Sequence, residues 1–179
     1  MNKDMNKDMN KESSNNEPLV ILFGRTNVGK STLFNCLIEK QQALVSDDAG
    51  TTRDSNYSHV NWRNLNFKLV DTAGIMEEKI IKKCLKSADF DVDKQVQEQA
   101  QKYLSKADLV LFLVDSRDGL LVEDRQLARQ LQKINGKQIL LVANKADNPR
   151  LRKETSEFNK LGIGGPQAIS AASGSGNGG

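Results

Sequence analysis

Leu19-Val20-Ile21-Leu22-Phe23-Gly24-Arg25-Thr26-Asn27-Val28-Gly29-Lys30-Ser31-Thr32-Leu33-Phe34 is the stretch from which the rest of the chain can be read. Leu19 to Phe23 make a strand-sized apolar run. A glycine-rich turn follows. Then Leu33 with Leu37, and Phe34 with Ile38, recur at the four-residue spacing of one helix face. Gly24 to Ser31 fits the pattern glycine, four residues, Gly-Lys-Ser/Thr, and sits between a strand and a helix. Phosphate groups carry dense negative charge. Backbone N–H groups in a tight turn, with the positive end of a helix dipole, hold them without side-chain bulk. Gly24, Asn27, Val28, Gly29 and Thr32 are therefore expected to line a phosphate cradle. Lys30 is expected to reach the β- and γ-phosphates, and the Ser31 hydroxyl to ligate Mg²⁺. The motif predicts a nucleoside triphosphate. It separates neither ATP from GTP nor a hydrolase from a kinase.

Downstream, the apolar run Phe67–Val70 leads into Asp71-Thr72-Ala73-Gly74. An acid at the end of a strand beside the phosphate turn suits the far side of a Mg²⁺ ion. The carboxyl ends of strands are also where open α/β sheets bind ligands. Thr72 falls within the same site, and the Gly74 N–H can approach a γ-phosphate because no Cβ interferes. Between the two motifs lies Gly50-Thr51-Thr52-Arg53-Asp54, where a threonine hydroxyl could complete the Mg²⁺ shell. Loops of this kind order with triphosphate and relax after hydrolysis.

A third run, Ile139 to Ala143, ends in Asn144-Lys145-Ala146-Asp147. Asp147 can accept hydrogen bonds from N1–H and the N2 amino group of guanine. Adenine has no N1–H, and a site built on hydrogen bonds rejects an unmatched analogue by roughly 10⁴-fold or more. Asn144 can hold the loop, and the Lys145 stem can lie over the base. Ser170-Ala171-Ala172 follows the last apolar run, where a backbone N–H can meet the guanine O6.

Short apolar runs alternate with helical periods from Leu19 onward, which predicts βαβ units. Strands are expected at Leu19–Phe23, Tyr57–Arg63, Phe67–Val70, Leu109–Val114, Ile139–Ala143 and Gln167–Ile169. The second and third are joined by only Asn64 to Asn66, too short for a crossover, so they should form an antiparallel hairpin. Helices are expected over Val96, Ala100, Tyr103 and Ala107, over Leu127, Leu131 and Ile134, and more weakly over Phe158 and Leu161. The fold class is α/β: a three-layer P-loop nucleotide-binding domain of Ras-like type, with a mostly parallel sheet and one antiparallel edge strand.

Residues 1–18 open with repeats of Met-Asn-Lys-Asp type and read as a disordered polar tail, and 173–179 as a flexible Gly/Ser tail. Residues 19–172 would then be the folded domain. It is expected to lack its last covering helix, with one sheet face exposed near the first and last strands. A net charge of +3 is too small to mark a nucleic-acid binder. Cys36 and Cys84 lie far apart, without metal-ligand spacing or a disulfide framework. Neither Leu19–Phe23 nor Leu109–Val114 approaches the roughly 20 residues of a membrane span. A cytoplasmic protein without membrane contact is expected. The lone His59 is read as a hairpin residue without a catalytic role.

Taken in order, these motifs resemble the G-motifs of the translation-factor-related GTPases. "GRTNVGKSTLFN" and "AGTTRD" resemble the Era-like group. "DSRDGLLVEDRQLARQLQ" with "QILLVANKADN" is most similar to the first G domain of the Der (EngA) family of ribosome-assembly GTPases. The MnmE family of tRNA-modification GTPases shares Gly50 to Asp54 and is the nearest rival. The resemblance covers Leu19 to Ala172 and implies a GTPase taking GTP, GDP and Mg²⁺. It implies Thr52 rather than Thr51 as the metal-ligating threonine, and Lys30, Thr52 and Gly74 as the residues around the reacting phosphate. Metal ligands would be Ser31, Thr52 and Asp71. It also implies ribosome or RNA as the partner of a parent protein with further G and KH-like domains. Asn27 stands where MnmE-like GTPases bind K⁺. The chain departs from the pattern in three places: one set of motifs rather than two, Thr26 where the group usually has proline, and a Ser173-Gly174 region without the group's usual continuation into a final helix. Apart from these, Ile75 stands where Ras-like enzymes carry a water-orienting glutamine. A nucleotide-binding switch with negligible hydrolysis is the alternative that Ile75 raises.

Overall fold

The computed structural model describes residues 17–44, 57–62, 65–72 and 104–174. Its elements are β1 (Leu19–Phe23), α1 (Lys30–Leu44), β2 (Tyr57–Trp62), β3 (Leu65–Asp71), β4 (Leu109–Asp115), α2 (Val122–Gln132), β5 (Gln138–Asn144), α3 (Pro149–Glu154), a 3₁₀ segment (Thr155–Leu161) and β6 (Gln167–Ala168). They form a six-stranded sheet in the order β2-β3-β1-β4-β5-β6. β2 runs antiparallel to β3, and the other pairings are parallel. This is the expected α/β architecture: a mostly parallel sheet with one antiparallel edge strand.

Alternation along the strands assigns side chains to the two faces. Val20, Leu22, Leu69, Leu113 and Val142 pack with Leu33, Phe34 and Ile38 of α1. Ile21, Phe23, Val70, Phe112, Val114, Leu141 and Ala143 pack with Leu127, Ala128 and Leu131 of α2 and with Phe158 and Leu161. Strands apolar on both sides need cover on both sides, and the βαβ crossovers supply it. In β2, Val60 and Trp62 join the α1 face, while His59 is exposed and pairs with Glu17.

Several boundaries differ from the sequence reading. β3 begins at Leu65, in register with Trp62, because Asn61 Nδ2 donates to Asn66 Oδ1 at 2.6 Å and extends the ladder. β6 stops at Ala168. α2 ends at Gln132, and Ile134 packs beyond it against the same core. α3 was not expected. Asn148 caps it by accepting from the Leu151 N–H at 2.9 Å, and Pro149 fits the first turn, where its missing N–H costs nothing. Phe158 and Leu161 lie on a 3₁₀ segment rather than an α-helix. Of the helix expected over Val96 to Ala107, only the buried end at Leu104 and Ala107 is described; Val96, Ala100 and Tyr103 lie outside the described residues. Exposure of the sheet is not centred on the first strand, while in the last strand Gln167 is exposed and Ala168 half-buried. Val20 to Phe23 are buried under α1 and α2, whereas Leu140 of β5 is 38% exposed beside the half-buried Leu109 and Leu111 of β4. Among the described residues, no helix is long and apolar enough to cross a membrane.

Candidate functional site at the carboxyl edge of the sheet

The chain order reverses around β1, so the crossovers on either side leave a crevice at the carboxyl ends of the strands. Gly24, Asp71, Asp115, Asn144 and Ser170 all lie at that edge. Gly24 turns the chain out of β1 at φ 151°, and a Cβ there would stand 2.4 Å from the Leu113 carbonyl oxygen. Only glycine fits so close to β4. Gly29, at φ 93°, passes the Asn144 side chain, where a Cβ would meet Nδ2 at 2.3 Å. The turn therefore lies flat over the strand ends, between β1 and α1.

Lys30 is 5% exposed and folds back over the turn. Its ammonium donates to the carbonyls of Gly24 at 2.9 Å and Arg25 at 2.7 Å. Burial pushes its pKa below the usual lysine range, and the nearby Asp71 carboxylate opposes that shift. An ammonium so poorly solvated gains from an anion brought beside it. Ser31 Oγ donates to Asp71 Oδ2 at 2.6 Å. That pair of hard oxygen donors suits Mg²⁺, which takes few protein ligands and keeps oxygen from water and phosphate. Thr72 turns inward and donates to the Leu22 carbonyl at 2.7 Å, fastening the end of β3 to β1. Val28 is buried in the α1 face of the core, and Thr32 is exposed on α1. Thr52 and Gly74 lie outside the described residues, as do Thr51 and Ile75.

Asn144, 2% exposed, joins three segments. Its Nδ2 donates to the Val28 carbonyl at 2.9 Å, and its Oδ1 accepts from the Ala171 N–H at 3.0 Å. Phosphate turn, β5 and the Ser170–Ala172 loop are thereby held in one arrangement. Lys145 has φ 62° and sends its ammonium to the Asn27 carbonyl at 2.7 Å and to Asp115 Oδ2 at 2.6 Å. Asp147 accepts from the Ser170 hydroxyl at 2.5 Å on Oδ1. That bond, followed by the pairing with Arg117, holds the Asp147 carboxyl below the usual carboxylate range. Ala172 is exposed at the rim of the loop.

A phosphate turn and an Asn-Lys-x-Asp loop at one sheet edge, tied together by Asn144, can be set beside known proteins. Residues 19–145 match the family described as 50S ribosome-binding GTPase. The chain belongs to that family. It is 42% identical over 160 residues to the GTPase Der of Acinetobacter baumannii (strain SDF), covering 89% of this chain and 32% of that protein. It thus spans about a third of the length of the curated relatives it matches. An Era variant of Aquifex aeolicus bound to GDP and AlF₄⁻ superposes with a TM-score of 0.60 at 29% identity, covering 88% of this chain and 52% of that one. Era in complex with MgGDPNP and nucleotides 1506–1542 of 16S ribosomal RNA gives 0.58 at 29% identity, with the same shares covered.

The domain also carries charged residues at its site that the sequence reading passed over. They lie on the turn after β4, Asp115-Ser116-Arg117-Asp118. Asp115 pairs with Lys145 and accepts from the Arg117 N–H at 2.9 Å. Arg117 pairs with Asp147. Asp118 pairs with Arg25 of the phosphate turn at 2.5 Å. Arg25 Nε also lies 3.4 Å from the fully buried Asp124, without hydrogen-bond geometry. Burial weighs against the Arg25 charge, yet Asp118 and Asp124 together hold its pKa above the ordinary arginine value. Burial raises the Asp124 carboxyl, against the Leu121 N–H that it accepts at 3.1 Å. Three charges in four residues at a strand's carboxyl end was a readable signal, since such a turn must face the ligand crevice.

Proposed function

We propose that this chain binds GTP with Mg²⁺ and hydrolyses it to GDP and phosphate, as a molecular switch in ribosome assembly of the bacterial type. One observation carries the reading: Asn144 joins the phosphate turn, through the Val28 carbonyl, to the loop bearing Asp147. A phosphate cradle and a guanine-reading carboxylate therefore face one crevice at a fixed separation. Lys30, Gly24, Gly29, Ser31 and Thr32 hold phosphates, and Asn144, Lys145, Asp147, Ser170, Ala171 and Ala172 hold the base. Ser31, Asp71 and Thr52 would hold Mg²⁺, which supplies charge neutralisation at the transferring phosphoryl group. Lys30 and the turn amides meet the charge that develops on the phosphoryl oxygens. Gly74 sits beside the γ-phosphate by resemblance. With isoleucine at position 75, a further charge must offset that build-up, and K⁺ at Asn27 is the proposed source.

Residues 19–172 form the GTP-binding domain in this reading, with polar tails at 1–18 and 173–179 and a cytoplasmic location. The relatives' greater length supports a parent protein with further domains, and the Era complex supports RNA as the partner surface. The test is single-turnover release of phosphate from GTP and from ATP, in K⁺ and in Na⁺. Release from GTP alone, faster in K⁺ and with that difference lost in Asn27→Ala, is expected. Similar binding of ATP and GTP overturns the base assignment. GTP bound without phosphate release overturns hydrolysis, and equal rates in both salts overturn the K⁺ site. Asp147→Asn should shift preference toward xanthine nucleotides, whose C2 carbonyl suits an amide donor.

A further inference from the structure

The contact between Arg117 and Asp147 has a chemistry that the nucleotide reading does not use. Arg117 Nε donates to Asp147 Oδ2 at 3.1 Å, and Nη2 of the same guanidinium donates to the same oxygen. Ser170 Oγ takes Oδ1. A guanidinium presents parallel N–H donors in a rigid planar fork. The Watson–Crick edge of guanine presents the same thing, an N1–H beside an N2 amino group. A carboxylate oxygen has two lone pairs. With both arginine donors in place, Oδ2 is filled and Oδ1 keeps one position.

We propose that Arg117 is an internal competitor of the guanine base, an affinity-setting residue that occupies Asp147 with guanine-like donors and is displaced when the base enters. This rests on the reading of Asp147 as the guanine acceptor. Two observations make the displacement feasible. The Arg117 side chain is 61% exposed, so it can swing into water without losing core packing. Its backbone stays anchored, since the Arg117 N–H donates to Asp115 Oδ1 and Asp115 in turn holds Lys145. Release of the guanidinium therefore leaves the loop geometry intact. Ser170 keeps hold of Oδ1 throughout, so the carboxylate remains aimed while its other oxygen changes partner.

Competition and support make opposite predictions. If Arg117 competes, its removal tightens guanine binding. If it only positions Asp147, or packs on the bound base, its removal weakens binding. An exposed ion pair of this kind corresponds to about a two- to fivefold change in affinity. The pair is also screened by salt, so the change should shrink as ionic strength rises. Arg117→Lys keeps the charge but loses the fork, and should fall between wild type and Arg117→Ala.

The experiment is calorimetric titration of the full 179-residue chain with GDP, at low and at high salt, with stopped-flow association of a ribose-labelled GDP. The proteins are wild type, Arg117→Ala, Arg117→Gln, Arg117→Lys, Asp147→Ala and the Arg117→Ala/Asp147→Ala double variant. Expected are tighter GDP binding by Arg117→Ala and Arg117→Gln at low salt, and no effect of Arg117→Ala in the Asp147→Ala background. The glutamine variant answers the question if the alanine variant folds poorly. Unchanged or weaker GDP binding by both, with Asp147→Ala still losing GDP, overturns the competitor and leaves the base reading standing. GDP binding unaffected by Asp147→Ala overturns the base reading, and the competitor with it.

Discussion

The phosphate end of the crevice and its base end are held by different kinds of contact. At the phosphate end, beside the side-chain pairs Ser31–Asp71 and Arg25–Asp118, the close contacts that fix the turn are to backbone. Lys30 is clamped by two carbonyls, Gly24 passes against the Leu113 carbonyl, and Thr72 is tied to Leu22. At the base end the partners are exposed side chains: Arg117 on Asp147, with 61% and 31% of their side chains in water. Backbone contacts leave one geometry. Side-chain pairs at a surface leave alternatives, and exposed ion pairs are individually weak. Substitutions at the phosphate end should therefore damage fold and binding together, whereas those at the outer base end should alter binding selectively. Asn144 and Asp147 stand three residues apart on opposite sides of this divide.

The largest effect should come from Gly24→Ala. A Cβ 2.4 Å from a backbone oxygen cannot be relieved by a rotamer change, and the φ of 151° adds strain. Destabilisation of roughly 3–5 kcal/mol is expected in chemical denaturation. Stability equal to wild type would show that the turn gives way easily and would break the contrast between the two ends. Next comes Asn144→Ala, which leaves the Val28 carbonyl and the Ala171 N–H without their partner and should cost roughly 2–4 kcal/mol. Asp147→Ala should melt close to wild type while losing guanine selectivity. If the two variants melt alike, the buried and exposed halves of this loop are not distinct.

A smaller effect concerns pH. Burial, partly opposed by Asp71, lowers the Lys30 pKa. Between that value and the ordinary lysine value, the folded chain binds fewer protons than the unfolded one, so Lys30 contributes stability that grows as pH rises through this window. Nucleotide phosphates favour the charged form. Binding should then take up a proton, and GDP affinity should fall as pH rises across the same alkaline window. Lys30→Met should flatten that profile; a wild-type affinity independent of pH there would sink the prediction. Smallest of all is Asp118→Asn. Its pair with Arg25 is half exposed at Asp118, and Asp124 stays nearby, so about 0.5 kcal/mol or less is expected in thermal unfolding. A larger loss would mean that the turn after β4 holds the phosphate loop more tightly than its exposure suggests.

The fold was largely legible because its signals are local. Apolar runs of strand length, the helical spacing of Leu33, Phe34, Leu37 and Ile38, and a hairpin too short for a crossover predict a mostly parallel sheet with one antiparallel edge. α3 was missed although Asn148-Pro149 is a helix-start signal, because a six-residue helix has too few turns to show a period. Among the described residues, the exposed large apolar side chains on strands are Leu65 of β3 and Leu140 of β5, while Val20 to Phe23 of the first strand are buried, since which strand lies under a helix depends on sheet order and not on chain order.

Glycine positions, the lysine after Gly29, the acid at the end of β3 and the Asn-Lys-x-Asp loop could be named from sequence alone, because each motif states its own chemistry within a few residues. The link between motifs could not. Asn144 meets Val28 across 116 residues, Lys145 meets Asn27 across 118, Arg25 meets Asp118 across 93, and Arg117 meets Asp147 across 30. Pairs so distant carry no periodicity or spacing, and come together only because parallel strands bring every carboxyl end to one edge of the sheet. Local chemistry was written in the chain, while partner choice at Asp147 was decided by the sheet that sets Arg117 beside it.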